Sequence, residues 1–292
     1  MKMGIVTKNK NSWTSTQLRE AMVRQNVKPI CFSFQKLVAR VGYKPENSVG
    51  EVNVLEDLSA LIVRPIPPGS LEEIIFRIDA LHRLERLGVL IVNPPSSIER
   101  SVDKYYALTF LEEAGLPVPR TAVTESHKEA LKAFYELGGD VVVKPLFGSR
   151  GIGSTRISDA DVAARIFRAI SLYHGVIYLQ EYVPHGVSDI RAFVVGGRVV
   201  AAMRRVAKGW KTNVSQGARP VPLKLSGQLE DLAVTACDVV GCKVAGVDVL
   251  ERGDVPMVVE LNSQPGWRGL QSVTEINIAD EIVRFVLCEL KR

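Results

Sequence analysis

Lys144-Pro-Leu-Phe-Gly-Ser-Arg-Gly-Ile-Gly153 ends an apolar strand on a lysine and runs directly into a loop with glycines at 148, 151 and 153. Far downstream, Ala245-Gly-Val-Asp-Val249 and Val258-Val-Glu-Leu-Asn262 read as two strands that set Asp248, Glu260 and Asn262 among apolar neighbours. Glycines let backbone N–H groups approach phosphate oxygens and let a loop fold over its ligand. Carboxylates inside apolar strands are costly unless something pairs with them. Glu260 and Asn262 are two apart and so share one face of a strand, where Asp248 from a paired strand can join them. Oxygen-only ligands suit Mg²⁺ or Mn²⁺, with phosphate and water completing the shell. Together the segments predict an enzyme that spends ATP. The loop is not a P-loop, because it lacks a terminal Gly-Lys-Ser/Thr. Structural pairing with arginines is the alternative for the acidic set.

Composition is compatible with this. The 292-residue chain is 46% hydrophobic and 24% charged, with a net charge of +5, as in soluble globular proteins. The basic surplus suits ATP or a carboxylate-rich substrate, and no basic run of five or more residues points to nucleic acid. Cys31, Cys237, Cys242 and Cys288 form no C-x-x-C pair and have apolar neighbours, which predicts reduced thiols and a cytoplasmic protein. His82, His127, His174 and His185 are scattered at spacings that suit no zinc site. The apolar run within Met1–Thr7 is too short for a signal peptide, and no stretch approaches the ~18 apolar residues of a membrane span.

Strands predicted at Met3–Thr7, Pro29–Phe34, Leu61–Val63 and Val89–Val92 alternate with two helices. One starts at a Thr14/Gln17 capping box and runs to Gln25; the other covers Leu71–Leu87. This alternation predicts a parallel α/β sheet with helices on its faces. No Gly-x-Gly-x-x-Gly follows the first strand, so no dinucleotide site is expected there. Asn93-Pro94-Pro95 stops the fourth strand and marks a boundary. One helix over Ile98–Ala114 is expected next. A strand near Thr121, a helix over His127–Leu137, strand Val141–Lys144, strand Ser154–Ile157, a helix over Asp159–Leu172 and strand Val176–Gln180 then make a small α+β module. In the last third, Ile190–Val195 and Arg198–Met203 flank Gly196-Gly197 as a hairpin. A helical run within Gly227–Gly241, the two acidic strands and a helix over Ile278–Leu290 complete the chain. The predicted units are an N-terminal α/β domain (1–95), a central unit with the glycine loop (96–184) and a C-terminal unit with the metal site (185–292).

Asp189, Arg191, Arg204, Arg205, Lys211 and Asn213 gather cations around the hairpin, where they can neutralise a transferred phosphoryl group and a developing oxyanion. Arg204 reads equally well as an exposed hairpin charge. Trp210 and Trp267 lie in glycine-containing loops and read best as packing anchors, with stacking on a flat ring as the alternative.

Taken in order, these motifs resemble the ATP-grasp ligases, in the branch typified by the enzyme that adds glutamate to ribosomal protein S6. The resemblance covers essentially the whole chain. It is carried by Asp103-Lys104, Val143-Lys144 with Gly148–Gly153, Gln180-Glu181-Tyr182, Asp189-Ile190-Arg191, Ala201–Arg205, Ala245–Asp248, Glu260-Leu261-Asn262, Pro265-Gly266 and Asn277–Asp280. Within the branch, Val92–Pro95, Val123–Ser126, Lys144–Gly148, Trp210–Gly217 and Glu275–Asp280 are most similar to archaeal ligases that add α-linked glutamate to tetrahydromethanopterin. Where the S6-modifying enzyme has Arg-Ser-Asn and His-Arg-Gly-Gly, this chain has Lys211-Thr212-Asn213 and Ser215–Ala218. Ser263–Gly269 replaces a smaller, acidic loop, and the stretch Ser263–Gln271 is expected to decide acceptor choice.

The resemblance implies an ATP-grasp fold behind an N-terminal parallel α/β domain. It implies that Lys104 and Lys144 contact ATP phosphates under a loop that includes Gly148, Ser149, Gly151 and Gly153. Gln180, Glu181 and Tyr182 would line the adenine pocket, with Asp189 on the ribose side. Asp248, Glu260 and Asn262 would hold two Mg²⁺ or Mn²⁺ ions. Arg205, Lys211 and Asn213 would face the phosphoryl group and the substrate carboxylate. The implied reaction joins L-glutamate to an acceptor carboxylate through an acylphosphate, and it needs no Ser or Cys nucleophile. A pterin-type coenzyme is the first acceptor implied. Ribosomal protein S6, another protein C-terminus and a lysine-biosynthesis carrier are alternatives. A non-catalytic ATP-binding regulatory protein and a homo-oligomeric assembly stay open.

Overall fold

The computed structural model describes residues 1–148 and 151–292. The N-terminal segment contributes β1 (Lys2–Val6), α1 (Trp13–Arg24), β2 (Lys28–Phe32), β3 (Leu37–Ala39), β4 (Asn47–Val49), β5 (Val52–Asn53), α2 (Val54–Asp57), β6 (Ala60–Val63), α3 (Leu71–Arg86) and β7 (Leu90–Val92). Strands β2, β1, β6 and β7 lie side by side in that order, all parallel. Strand β6 is buried along its whole length, as expected of a parallel strand covered on both faces. Helix α1 starts two residues earlier than expected. Ser12, not Thr14, is its cap, and the Ser12 hydroxyl accepts from the Ser15 N–H. The small antiparallel sheet β3–β4–β5 was not expected, because strands of two or three residues carry too little periodicity to read.

The single helix expected over Ile98–Ala114 is two, α4 (Pro95–Val102) and α5 (Lys104–Glu113). Asp103 breaks it. Its backbone is extended, and its carboxylate accepts from the N–H groups of Tyr105 and Tyr106, which starts a new helix. Lys104 therefore opens α5 and donates its amine to the carbonyls of Leu146 and Gly148 at 3.2 and 2.9 Å.

The middle of the chain forms β8 (Thr121–Thr124), α6 (His127–Glu136), β9 (Val141–Lys144), β10 (Thr155–Ile157), α7 (Ala160–Leu172) and β11 (Ile177–Glu181). Its antiparallel sheet runs β10–β9–β11–β8 and packs on the paired helices α6 and α7. The remainder forms β12 (Ser188–Val195), β13 (Arg198–Val206), β14 (Arg219–Pro222), α8 (Gly227–Val240), β15 (Val244–Arg252), β16 (Val255–Asn262), α9 (Arg268–Gln271) and α10 (Ile278–Glu289). Its sheet order is β14–β13–β12–β15–β16, antiparallel throughout. Gly196 and Gly197 turn the β12–β13 hairpin at φ +57° and +76°, the left-handed pair that a two-residue turn of this kind requires.

One face of the C-terminal sheet presents Ile190, Ala192, Val194, Val247 and Val249 to α5 and α8. A separate core joins the two ends of the chain, with Met3, Ile5, Leu18 and Met22 packed against Phe193, Trp267, Ile282 and Val286. Asn93, expected only as a boundary, is the polar clasp of this seam. Its Nδ2 donates to the carbonyl of Val244 at 2.6 Å and to that of Ser263, and its Oδ1 accepts from the N–H groups of Lys243 and Val244, both at 2.8 Å. The residue is 2% exposed, so these main-chain groups have no water to turn to. Asn93→Ala is expected to lower unfolding stability by about 2–4 kcal/mol. Asn93→Asp, which keeps the shape but aims oxygen at two carbonyls, should lower it at least as much. Urea denaturation at constant m-value checks both, and a loss under about 0.5 kcal/mol for either variant would remove Asn93 from this role.

Candidate active site

Alternation along β12 puts Asp189 and Arg191 on the face opposite the apolar one. Register then sets Asp189 against Arg205, and Arg191, Asp248 and Glu260 in one row across β12, β15 and β16. Asn262, two residues beyond Glu260, shares that face. Arg205 donates its Nε to Asp189 Oδ1 at 2.6 Å, pairs through Nη2 with the second Asp189 oxygen, and reaches Asp248 Oδ1 at 3.0 Å. Arg191 forks onto both Asp248 oxygens, with Nη2 to Oδ2 at 2.7 Å. Thr212 adds a hydroxyl donor to Asp189 at 2.6 Å. Burial drives the Asp189 carboxyl above its ordinary range despite Arg205. Burial also penalises the charge on Asp248, but Arg191 and Arg205 outweigh it and hold that carboxyl below the ordinary range. Burial disfavours the Arg205 charge too, yet Asp248 and Asp189 prevail and its pKa rises. Gly246 makes the row sterically possible, because a Cβ there would stand 2.5 Å from Arg191 Nη1.

This face forms one wall of a solvent-open cleft against the central sheet. On the other wall, Lys144 at the end of β9 donates to Gln180 Oε1 at 2.7 Å, and Gln180 is held in turn by Thr121 and Tyr178. Burial pulls the Lys144 amine down to about 8, with Glu260 opposing the shift. Burial also lowers Lys104, again opposed by Glu260. The Glu260 carboxylate thus acts on both lysines, and it has no hydrogen bond or ion pair of its own among the described residues.

Tyr182 borders the cleft, with the Arg156 guanidinium 3.5 Å from its ring centre and Trp210 edge-on at 6.4 Å. Lys211 lies over Trp210, and both line the cleft with Asn213. Gly151 passes so close to Asn213 that a Cβ would collide with its side-chain oxygen. Gly148 also lines the cleft, whereas Gly153 faces a shallow groove behind it with Phe147 and Ile170. Ser149 lies outside the described residues. Glu181 also lines the cleft, while its carboxylate accepts from Arg120 Nε at 3.0 Å and pairs with Arg252 at 2.8 Å, tying the central sheet to the tip of the β15–β16 hairpin. Trp267 is a packing anchor, 1% exposed between Trp13 and Phe193. Arg204 is not a free charge, since it pairs with Glu251 at 2.5 Å.

The oxygen donors fit a magnesium ion bound together with phosphate. Glu260 is open. Asn262 Oδ1 accepts one bond, from the Gln264 N–H, and keeps a lone pair. Asp248 accepts three guanidinium contacts, which leaves about one of its four acceptor positions. Among the described residues no cluster of three His, Cys, Asp or Glu side chains could hold a metal unaided.

Sequence reasoning missed Gly246 and Thr212 as parts of the row and grouped Arg191 with the cations able to meet a phosphoryl group, whereas its guanidinium is committed to Asp248. A glycine flanked by Ala245 and Val247 inside a strand was the available signal, since such glycines mark close approach.

Residues 101–286 match the RimK-like ATP-grasp domain. The chain is 35% identical over 289 residues to the tetrahydromethanopterin:α-L-glutamate ligase of Methanococcus maripaludis, covering 97% of each chain. It is 34% identical over 311 residues to the enzyme of that name from Methanocaldococcus jannaschii, covering 100% of each. The fold is shared with the ATP-grasp ligase PsnB in complex with a minimal precursor, Mg and ADP, at a TM-score of 0.76 and 20% identity, covering 100% of this chain and 98% of that one. It is shared equally with the RimK domain protein from Sphaerobacter thermophilus, at a TM-score of 0.76 and 21% identity, covering 98% and 100%. With a cleft between an antiparallel sheet bearing Lys144 and a second sheet bearing the Arg–Asp row, and with these matches over nearly its whole length, the chain belongs to the RimK-like ATP-grasp family.

Proposed function

We propose that the protein is an ATP-dependent carboxylate–amine ligase that joins L-glutamate in amide linkage to an acceptor carboxylate, with a pterin-type coenzyme as the acceptor. The observation that carries this is the charge pattern of the cleft. The Arg191, Arg205, Asp189 and Asp248 row is neutral overall, which leaves Lys104 and Lys144 facing the open Glu260 carboxylate. Two cations opposite an open oxygen ligand suit a nucleotide triphosphate carrying its magnesium. The acceptor class is supported by the names of relatives matched over nearly their full length.

An acceptor carboxylate oxygen bonds to the γ-phosphorus of ATP as the bond to the β-bridging oxygen breaks, which gives an acylphosphate and ADP. The glutamate nitrogen then attacks the acyl carbon, phosphate leaves, and the amine gives up its proton. Lys104 and Lys144 hold the phosphates during both steps. The glycine loop, with Gly148 and Gly151 on the cleft, shields the acylphosphate from water. Lys211 and Asn213 stand where they can meet the incoming carboxylates. Glu260, Asn262 and Asp248 would hold magnesium together with phosphate, and the ion would supply charge screening.

ADP release with Mg²⁺ and L-glutamate should depend on the acceptor in a panel that includes pterin and folate-like carboxylates, with a product one glutamyl residue heavier. ATP binding without ADP release for any small-molecule or protein acceptor would leave a regulatory ATP-binding protein instead. Because burial holds Lys144 near 8, its cation is present below that pH and lost above it. ATP affinity in the magnesium-loaded protein should therefore fall as pH rises through about 8, and Lys144→Arg should remove the dependence; a flat wild-type profile would separate Lys144 from phosphate binding. Gly246→Ala should cost about 1–3 kcal/mol of stability and more than tenfold in turnover by pushing Arg191 off Asp248. Unchanged turnover in that variant would show the Arg191–Asp248 pair to be dispensable.

A further inference from the structure

Arg64 follows β6 at the carboxyl edge of the parallel sheet, the edge at which open α/β sheets bind their ligands. It is 7% exposed. Nη2 donates to the Pro265 carbonyl at 2.9 Å, and the guanidinium sits 5.0 Å from the Trp267 ring centre. Its Nε is buried without an acceptor, and so is the Nε1 of Trp267 beside it. Burial draws the Arg64 pKa down to about 10, and no carboxylate opposes that shift. Arg191 and Arg205 each close on a carboxylate, whereas Arg64 closes on none among the described residues. An interior guanidinium without a counter-charge costs several kcal/mol. Both orphaned atoms are donors, so the missing partner is an acceptor, and the unbalanced charge makes it an anion.

The location connects this cation to the cleft. Pro265 packs against Gly246, whose absent Cβ would lie 3.2 Å from the proline and close to Arg191. Gln264 donates its N–H to Asn262 and spans the Arg64 carbonyl and the Ile66 N–H. Arg64 therefore stands just across Pro265 from the Arg191–Asp248 end of the row.

We propose that Arg64, with the Trp267 indole N–H beside it, anchors a second anionic group, carboxylate or phosphate, on the acceptor whose first carboxylate is activated in the cleft. This rests on the ligase reading above. On this proposal a dicarboxylate or phosphorylated acceptor engages both places, and a monocarboxylate engages only the cleft. A buried water at Arg64 would satisfy the donors but leave the charge unbalanced.

The test has two arms on the full-length protein. In the first, glutarate and inorganic phosphate are titrated separately while the Trp267 indole N–H resonance, assigned through Trp267→Phe, is followed by NMR. A saturable shift with either anion is expected in the wild type, with loss in Arg64→Gln and weakened retention in Arg64→Lys; which anion shifts it separates carboxylate from phosphate. The glutamine keeps a donor for the Pro265 carbonyl, and the lysine variant serves if the glutamine variant does not fold. A resonance unmoved by both anions points to buried water and overturns the proposal. In the second arm, Arg64→Gln should raise KM for dianionic acceptors by about 10–100-fold while KM for ATP and for monocarboxylate acceptors changes little. Equal losses across both acceptor types would also overturn it. If the wild type releases no acceptor-dependent ADP, the ligase reading fails, and the indole titration alone decides the anion site.

Discussion

Two carboxylates and two guanidiniums share one buried row on the C-terminal sheet, and the rest of the structure is arranged around keeping that row paired. Neither Asp189 nor Asp248 could stay in this interior alone, because an uncompensated charge there costs several kcal/mol. The pairing also specifies the sheet. Side chains alternate with period two, so a slip of β15 by one residue against β12 would turn Asp248 into the apolar face against α8 and leave Arg191 opposite a valine. Gly246 narrows the choice further by leaving room for Arg191 at one place in the register only.

The row has a functional consequence because it is self-neutralising. Arg205 is saturated by Asp189 and Asp248, so it orients the wall without adding net charge to the cleft. The unbalanced charges fall to residues whose side chains can respond to a ligand. Lys104 is hydrogen-bonded to the glycine loop it would help close, Lys144 leans on a neutral glutamine, and Glu260 is open. Rigidity is thus concentrated in the floor and adaptability at the rim, the division expected where a preorganised field must accept and release a polyanion.

Much of this was legible in the sequence, and the exceptions share a cause. Period-two alternation located Glu260 and Asn262 on one face, and the glycine pair located the hairpin, because both signals are local. The Ile98–Ala114 helix was drawn through Asp103 since an aspartate can sit in a helix surface or cap one, and only the extended backbone decides between them. Glu181 lines the cleft beside Gln180 and Tyr182 as expected, but the partners of its carboxylate, Arg120 and Arg252, lie far along the chain and left no local signal. Arg191, Thr212 and Asn93 were undervalued for the same reason: each is defined by a partner that spacing does not reveal.

Asn93 has a consequence for how this seam tolerates sequence drift. All its partners are main-chain atoms, two N–H groups and two carbonyls belonging to Lys243, Val244 and Ser263. A joint whose receiving half is peptide backbone does not register which side chains those positions carry. The clasp therefore makes no demand on the side chains at 243, 244 and 263, which answer instead to other contacts, Val244 in the shared core and the Ser263 hydroxyl beside Ser101, while the clasp's own specificity rests on a single codon at position 93. Of the clasp's two halves, only the one at position 93 is exacting about which side chain it carries.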